Sequence, residues 1–251
     1  CGKIGTDSTN SCININGIFT VCGKPISSVN INSCSSFIVG CNAGNGACDS
    51  SYSNFIGYFA GYGACSSCYS NFIGSFAGYD GDGVSYSNFI GKEAGQQACC
   101  SSCSNFIGNY AGSQAVCAMA SNFIGHVAGN NADFSSCSNF IGNQAGEVAC
   151  CSIASNFIGY LTGNRANNTS CSNFIGSYTG IEACCSPLSN FIGNQAGYCA
   201  YCSACSIFIG TGAGYGVCCS PNTLIIGSDV NKLICGKIGT DSTNSCININ
   251  G

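Results

Sequence analysis

The sequence predicts an all-β fold, a disulfide-rich parallel β-solenoid (β-helix or β-roll) with 17-residue coils. A motif, Ser-Asn-Phe-Ile-Gly followed by Ala-Gly, recurs so that a glycine stands at every seventeenth residue from Gly40 to Gly227. Such a unit is too short for a helical-hairpin repeat, but it suits one coil that lays short strands on the coil before it. Equivalent residues of neighbouring coils should then lie about 4.7–4.9 Å apart.

The side chains of the motif form columns in which like residues stack along the solenoid. Asn recurs from Asn54 to Asn190, and Phe recurs from Phe55 to Phe208. Phe and the following Ile favour strands, and stacked Asn amides can hydrogen-bond along their column. Glycine permits the turn after the strand, and Ala-Gly predicts a second tight corner. The first two rungs of these predicted structural ladders are Asn54, Phe55, Ile56, Gly57, Asn71, Phe72, Ile73 and Gly74.

The adjacent Phe and Ile columns raise a question about burial. Successive side chains of a strand face opposite sides, so one of the two columns should form a long apolar stripe on the surface. Such a stripe is unusual for a soluble monomer. Either a corner between the columns turns both inward, or the stripe packs against another chain. Only 6% of the residues are charged, which favours an assembled state.

A second, longer repeat is nested over the first. Residues 1–17 and residues 235–251 are identical, so we interpret the chain as one 234-residue superrepeat of a tandem array plus the start of the next. Three regions follow from this: irregular joining coils at 1–36, the regular solenoid at 37–227, and a linker with the start of the next superrepeat at 228–251. Within the first region, Ile13, Ile15, Val29 and Ile31 alternate with Asn, a period typical of strands.

Cysteine accounts for 25 of the 251 residues, a density typical of disulfide scaffolds in oxidising compartments. Cysteines separated by one full coil would lie on neighbouring layers, within the Cα separation that a disulfide tolerates. The candidate pairs at this spacing are Cys48 with Cys65, Cys100 with Cys117, and Cys202 with either Cys185 or Cys219.

Other cysteines recur at every second coil, so that two kinds of coil alternate. Coils with a vicinal pair such as Cys150-Cys151 alternate with coils that carry a single cysteine slightly further round, which suggests diagonal bridges across a corner. Vicinal side chains are expected to face opposite ways, leaving one thiol of each pair outward for links to another chain. The number of cysteines in one superrepeat is odd, so one thiol must stay free or bond elsewhere. The remaining disulfide candidates are Cys103, Cys137, Cys151, Cys171 and Cys205.

The sequence predicts neither a metal site nor a cofactor. Cys65-Ser-Ser-Cys68 matches half of a zinc or iron–sulfur site, but the cysteines are spread along the chain and His126 is the only histidine. Asp80 and Asp82 lack the further carboxylates of a calcium loop and predict a solvated turn. The carboxylates are scattered over different coils, and no base is placed to activate a thiol. We therefore expect that the protein is not an enzyme.

Composition narrows the expected partners. A net charge of −4 argues against nucleic-acid binding, which requires a basic face. The apolar runs are too short for a membrane span. The predicted partner is the chain itself, end to end or laterally, outside the cell or on a cell or virion surface. The predicted function is that of a structural protein forming a disulfide-stabilised filament.

The unit SNFIGxxAG, which covers Gly40 to Gly227, resembles the NTFIGxxAG-type repeats of phage tail-fibre and adhesin-like surface proteins. It is also similar to the AIGxxA repeats of trimeric autotransporter adhesin heads. The resemblance implies a left-handed parallel β-roll, a trimeric assembly and a role in host attachment. The alternative function is therefore the shaft of a trimeric adhesin or of a virion or phage tail fibre.

Overall fold

A computed structural model describes residues 36–228, together with the backbone of five short strands outside that range. The described residues contain strands, turns and bends but no helix, so the predicted all-β fold is confirmed. The strands are β1 (Ile4–Thr6), β2 (Ile13–Ile15), β3 (Thr20–Val21), β4 (Lys24–Pro25), β5 (Phe37–Val39), β6 (Asn54–Ile56), β7 (Asn71–Ile73), β8 (Asn88–Ile90), β9 (Asn105–Ile107), β10 (Asn122–Ile124), β11 (Asn139–Ile141), β12 (Asn156–Ile158), β13 (Asn173–Ile175), β14 (Asn190–Ile192), β15 (Ile207–Ile209), β16 (Thr223–Ile226) and β17 (Cys246–Ile249).

Strands β5 to β17 form one 13-stranded parallel sheet in which each strand pairs with the strand of the next coil. Within the regular block each residue lies opposite its equivalent in the next coil, so Phe123 pairs with Phe140 and Ile124 with Ile141. A second line of parallel bridges runs along the variable part of the coil and includes Cys48 opposite Cys65. The solenoid with 17-residue coils is therefore confirmed.

The core of the solenoid is a column of phenylalanine rings, packed against small residues. The Phe side chains of this column, at every seventeenth residue from Phe72 to Phe208, are fully buried. Neighbouring rings in this column have centroids 4.7–5.4 Å apart. Within the described column, only Phe157 and Phe174 meet edge to face, in the two coils where Thr162 and Thr179 replace the alanine of Ala-Gly. Equivalent residues of successive coils therefore stack on one another in the buried core as well as along the backbone.

The Ile column points outward, on the side of the strand opposite to the Phe column. Seven of its side chains, between Ile73 and Ile209, are 36–39% exposed. The strand therefore keeps the ordinary alternation of its side chains. The alternative in which a corner turns both columns inward is wrong, and the solenoid carries an exposed Ile stripe.

The corners are built from left-handed backbone at residues of many types. In one representative coil, positive φ angles occur at Gly125, Val127, Gly129, Asn131, Phe134 and Cys137. Left-handed conformations are costly for residues with a Cβ, and the coil accepts them because hydrogen bonds to both neighbouring coils continue through the corners. For example, the Val127 N–H donates to the Asn109 carbonyl at 2.9 Å.

Two glycine columns are required by close approach rather than by φ alone. At Gly125, with φ of +134°, an added Cβ would lie 2.3 Å from the carbonyl oxygen of Gly142 in the next coil. At Gly129, an added Cβ would lie 2.1 Å from the ring of Phe123 in its own coil. The first glycine thus lets the coils stack, and the second makes room for the buried ring.

The joining region at 1–36 contains antiparallel pairs in its described parts. β1 pairs with β2, and β3 pairs with β4. At the other end, β17 pairs in parallel with β16, with Thr223 opposite Cys246. The predicted strand residues Val29 and Ile31 lie outside the described residues, and the boundaries of the three regions stay a prediction.

We predict that Gly125→Ala destabilises the solenoid strongly, because its methyl group meets a backbone carbonyl that cannot move without separating two coils. The matched control is Gly83→Ala, because a Cβ added there would have no neighbour closer than 3.8 Å. The equivalent residues of the adjacent coils, Ser66 and Cys100, adopt a φ similar to that of Gly83 although they carry side chains. The control should cost about 1–2 kcal/mol, and Gly125→Ala at least about 2 kcal/mol more. Urea unfolding followed by circular dichroism measures both; equal losses would contradict the close-approach argument.

Candidate functional site

The outward face of the sheet carries a continuous ladder of hydrogen-bonded asparagines. From Asn54 to Asn173, each Nδ2 donates to the Oδ1 of the Asn in the next coil, at 2.6–2.8 Å, and Asn190 accepts the last of these bonds. All of these bonds point the same way along the solenoid. The predicted Asn ladder is therefore confirmed, and it satisfies amides that are only half exposed.

The Ile stripe runs beside the Asn ladder on the same face, because the two columns stand at alternate positions of each strand. Neither column contains a charged residue from β6 to β14. The face therefore combines apolar side chains with amides that already have partners in their own chain. Such a surface favours contact with another apolar surface over contact with a charged ligand.

Inside the coil, two serine columns provide polar contacts that the sequence prediction omits. Ser121 is fully buried, and its hydroxyl donates to the Ser135 carbonyl at 3.0 Å while accepting from the Ser138 N–H at 3.1 Å. Most coils repeat this arrangement. A buried hydroxyl that bridges two coils holds them in register. The recurring Ser before Asn carried the signal, since it is as periodic as the motif itself.

We predict that Asn122→Asp weakens the solenoid, because Asp can accept from Asn105 but cannot donate to Asn139. The loss should be about 1 kcal/mol, as expected for one hydrogen bond left unmade. The matched control is Asn190→Asp: Asn190 accepts from Asn173, but Ile207 occupies the next rung, so no ladder bond is lost. Thermal unfolding at pH 7 compares the two. A loss at Asn190→Asp as large as that at Asn122→Asp would mean that added charge, not the ladder, is responsible.

Most of the cysteines lie on the variable part of the coil, in two adjacent columns and at one further corner. All the cysteines among residues 36–228 are free thiols in this structure, either exposed or half-exposed. The two adjacent columns are called the bridge column and the corner column. The bridge column contains Cys48, Cys65, Cys99, Cys150, Cys184 and Cys218, and the corner column contains Cys100, Cys117, Cys151, Cys185, Cys202 and Cys219.

The vicinal thiols lie side by side, and the expectation that they face opposite ways is wrong. The two Sγ atoms of each pair are 3.1–3.5 Å apart. The reason is local backbone geometry: the second cysteine of each pair, such as Cys151 with φ of 55°, is left-handed. A left-handed residue breaks the alternation of the strand and returns its side chain to the same side.

In two of the predicted sets separated by one coil, a thiol is close enough to its predicted partner to change its pKa; the disulfides themselves stay a prediction. The Cys48 thiol interacts with that of Cys65, which raises the pKa of Cys48. Burial raises the pKa of Cys202, and so do the thiols of both Cys219 and Cys185. These three corner-column cysteines stand on successive coils, and the thiols of Cys185 and Cys219 are both close enough to raise the pKa of the middle one, Cys202.

The remaining predicted pair, Cys100 with Cys117, also lies near another thiol. Cys100 hydrogen-bonds to its vicinal neighbour Cys99, with their Sγ atoms 3.3 Å apart. Cys117 lies close enough to Cys99 to contribute to the raised pKa of the latter. The direct thiol contact in these two coils is therefore between Cys99 and Cys100, and the pairing of Cys100 with Cys117 stays a prediction.

Four candidates are not brought together with another thiol in the described part of the chain. They stand at every second coil, at about twice the strand spacing, which is too far for a disulfide between them. Ala120, Ala154 and Leu188 occupy the coils between. The diagonal bridges to the vicinal pairs therefore stay a prediction. The four residues are Cys103, Cys137, Cys171 and Cys205.

Contact between thiols also controls their reactivity. The pKa of Cys99 rises to about 11 because its thiol hydrogen-bonds to Cys100 and is partly buried. The pKa of Cys150 rises to about 11, first through burial and then through its bond to Cys151. Since the thiolate is the reactive form, these thiols are protonated and slow to react near neutral pH.

We predict that alkylation of Cys99 by iodoacetamide in the reduced protein is slow at pH 9 and accelerates as the pH rises toward its pKa of about 11. Cys100→Ala removes the largest cause of the shift, so the pKa falls and alkylation at pH 9 should speed up several-fold. Cys103→Ala, in the same coil, is the matched control and should leave the profile unchanged. Mass spectrometry of the peptide that contains Cys99 measures the rate; identical profiles for both variants would contradict the contact.

Chemistry beyond thiols has little support among the described residues. No group of three or more His, Cys, Asp or Glu side chains in residues 36–228 is arranged to hold a metal ion. His126 is exposed, as are Asp80 and Asp82. The Cys199 thiol donates to the Glu182 carboxylate at 3.6 Å, and burial together with this carboxylate raises the pKa of Cys199. A raised pKa is the opposite of nucleophile activation.

The fold and these columns define the chain as a tandem-repeat parallel β-solenoid with Asn ladders. No family model matches the chain, and no curated protein matches its sequence. Within the described residues, no helix is long and apolar enough to cross a membrane.

Proposed function

We propose that this protein is structural and forms a filament from tandem 234-residue solenoid superrepeats, hardened by disulfides in an extracellular or surface location. The observation that carries the proposal is the in-register stacking of like on like over the whole described solenoid. Each coil contacts only its neighbours, so such a fold extends without a limit set by its own core. The recurrence of the first seventeen positions at 235–251 supplies the continuation.

Disulfides would form between cysteines of neighbouring coils, within the bridge column and within the corner column. Two thiols of neighbouring coils lose two protons and two electrons to an oxidant such as dioxygen, and one S–S bond forms. Each such bond adds about 2–4 kcal/mol. In the row Cys185, Cys202 and Cys219, only one pair can form at a time. The third thiol stays available to its vicinal neighbour or to another chain, which fits the odd cysteine count of a superrepeat.

The same proposal assigns the remaining properties of the protein. Its partner is itself, it is not an enzyme, and it binds no nucleic acid. The oxidising compartment follows from the cysteine density, and the self-association follows from the end-to-end continuation of the stacked coils. The segment Asn167-Asn168-Thr169-Ser170 contains two overlapping N-glycosylation sequons. Both asparagines are exposed, as attachment of a glycan would require in a secretory setting.

A second candidate function is the shaft of a trimeric adhesin or of a virion or phage tail fibre. The exposed Ile stripe favours it specifically, because three chains that turn their stripes inward would bury this apolar surface. The two candidates differ in the number of chains per layer, one for the solenoid filament and three for the shaft. Mass per length from electron micrographs of unstained material separates them.

We predict that native material forms continuous filaments with a strong layer line near ~4.8 Å along the axis. Power spectra of electron micrographs measure it. Peptide mapping without reductant should find Cys48 joined to Cys65, with Cys137 as a control that has no thiol in contact. Short discrete spikes would overturn the filament in favour of the adhesin shaft, and fully reduced thiols in native filaments would overturn the disulfide hardening.

A further inference from the structure

One tripeptide occurs twice in the chain and pairs differently each time. Ile-Asn-Ile forms β2 near the start and recurs within β17 near the end. β2 is antiparallel to β1, with Ile4 opposite Ile15. β17 is parallel to β16, with Ile226 opposite Ile249. Since the two copies lie in identical segments, 1–17 and 235–251, the difference comes from the neighbour that each copy finds.

The second copy finds the last strand of the regular solenoid. Without β17, β16 would present an open strand edge, and such an edge is a template for any segment that can pair with it. The first copy pairs instead with β1, which lies close by in sequence. Among the described residues, β1 and β2 form a two-stranded sheet of their own. Such a pair is marginally stable in water, so we expect release of β2 from β1 to cost little.

We propose that residues 13–15 are a docking strand for the solenoid edge of a second copy of this chain. They would leave β1 and pair in parallel with the partner's β16, in the register that β17 shows. This inference rests on the proposed function, since it names the partner and the geometry by which successive units join.

The register of β17 also sets the number of layers in a superrepeat. Eleven regular intervals run from Gly40 to Gly227. The joint adds one enlarged coil from Ile226 to its paired residue Ile249. The stretch from Ile15, which is the equivalent of Ile249, to Val39 is nearly the same length, and in the docked register it would form a second enlarged coil. A superrepeat then has thirteen layers, or about 62 Å at ~4.8 Å per layer.

A single backbone N–H is suited to test the docking. In the regular coils, the N–H of Gly57 donates back to Val39 of the preceding coil. Successive N–H groups along a parallel strand point alternately to the strands on its two sides. The N–H two positions before Gly57, in the Phe column, therefore also points to the preceding coil. Asn248 lies opposite Ile225, in the Phe column, so its N–H is directed at β16. Proline at this position removes the donor. Asn14 is the identical residue of the other copy.

The experiment measures the mass of the full chain under reducing conditions by light scattering. Asn248→Pro should detach β17 and open the edge of β16, so that residues 13–15 of a second copy dock and the chain associates head to tail. The double variant Asn14→Pro/Asn248→Pro has the same open edge but no docking strand. Asn14→Pro alone keeps β16 covered and is the matched control for proline in that segment.

The expected result is that Asn248→Pro has at least twice the mass of the double variant, and that Asn14→Pro has the mass of the unchanged chain. Equal masses for Asn248→Pro and the double variant would overturn the proposal, whether both associate or neither does. In filaments, an axial repeat of about 62 Å supports the two-coil joint, and a repeat of ~67 Å, for fourteen layers, overturns it. Absence of native filaments would overturn the proposed function alone, because the docking is measured on single chains.

Discussion

The whole structure depends on the hydrogen bonds between one coil and the next. Each coil donates to carbonyls of both neighbouring coils: the Asn122 N–H donates forward to Ser138, and the Gly125 N–H donates back to Ile107. These bonds continue through corners where residues with side chains adopt left-handed conformations. The network stabilises a coil only when its neighbours are present, so the unit of stability is the stack and not the single repeat.

Register follows from this network, and the side-chain columns follow from register. Because every residue lies over its equivalent in the coil before, identical side chains must tolerate or favour their own company. Phe rings stack, Asn amides hydrogen-bond, and a Ser hydroxyl such as that of Ser121 both donates to a carbonyl and accepts from an N–H of the next coil. Charged side chains would repel their own kind in such columns, which explains their scarcity and their confinement to variable positions.

The two parts of the coil have different chemistry because their backbones differ. The regular strand presents Asn and Ile outward, an uncharged face that suits contact with a like surface. The variable part presents thiols, and the left-handed corner places vicinal thiols together rather than apart. Under the proposed functions, the outward strand face would make lateral contacts, the thiols of the variable part would harden the stack, and the strand edges at the ends would carry longitudinal growth.

By itself, the sequence determined the class of fold, the coil length, the in-register pairing and the Asn ladder. A strict period leaves only one register in which identical residues stack on one another, so these features could be predicted without knowing the course of the backbone. Only the tertiary structure decided that Phe points inward and Ile outward, and that Cys150 and Cys151 share one side. The Ser column was visible in the sequence as a period, but its partners in the next coil were not. The tertiary structure also decided that one tripeptide pairs in two ways. The physical reason is that the conformation of a corner and the availability of a strand edge depend on the neighbouring coils. Residue types at these positions vary from coil to coil, so the sequence pattern predicts neither.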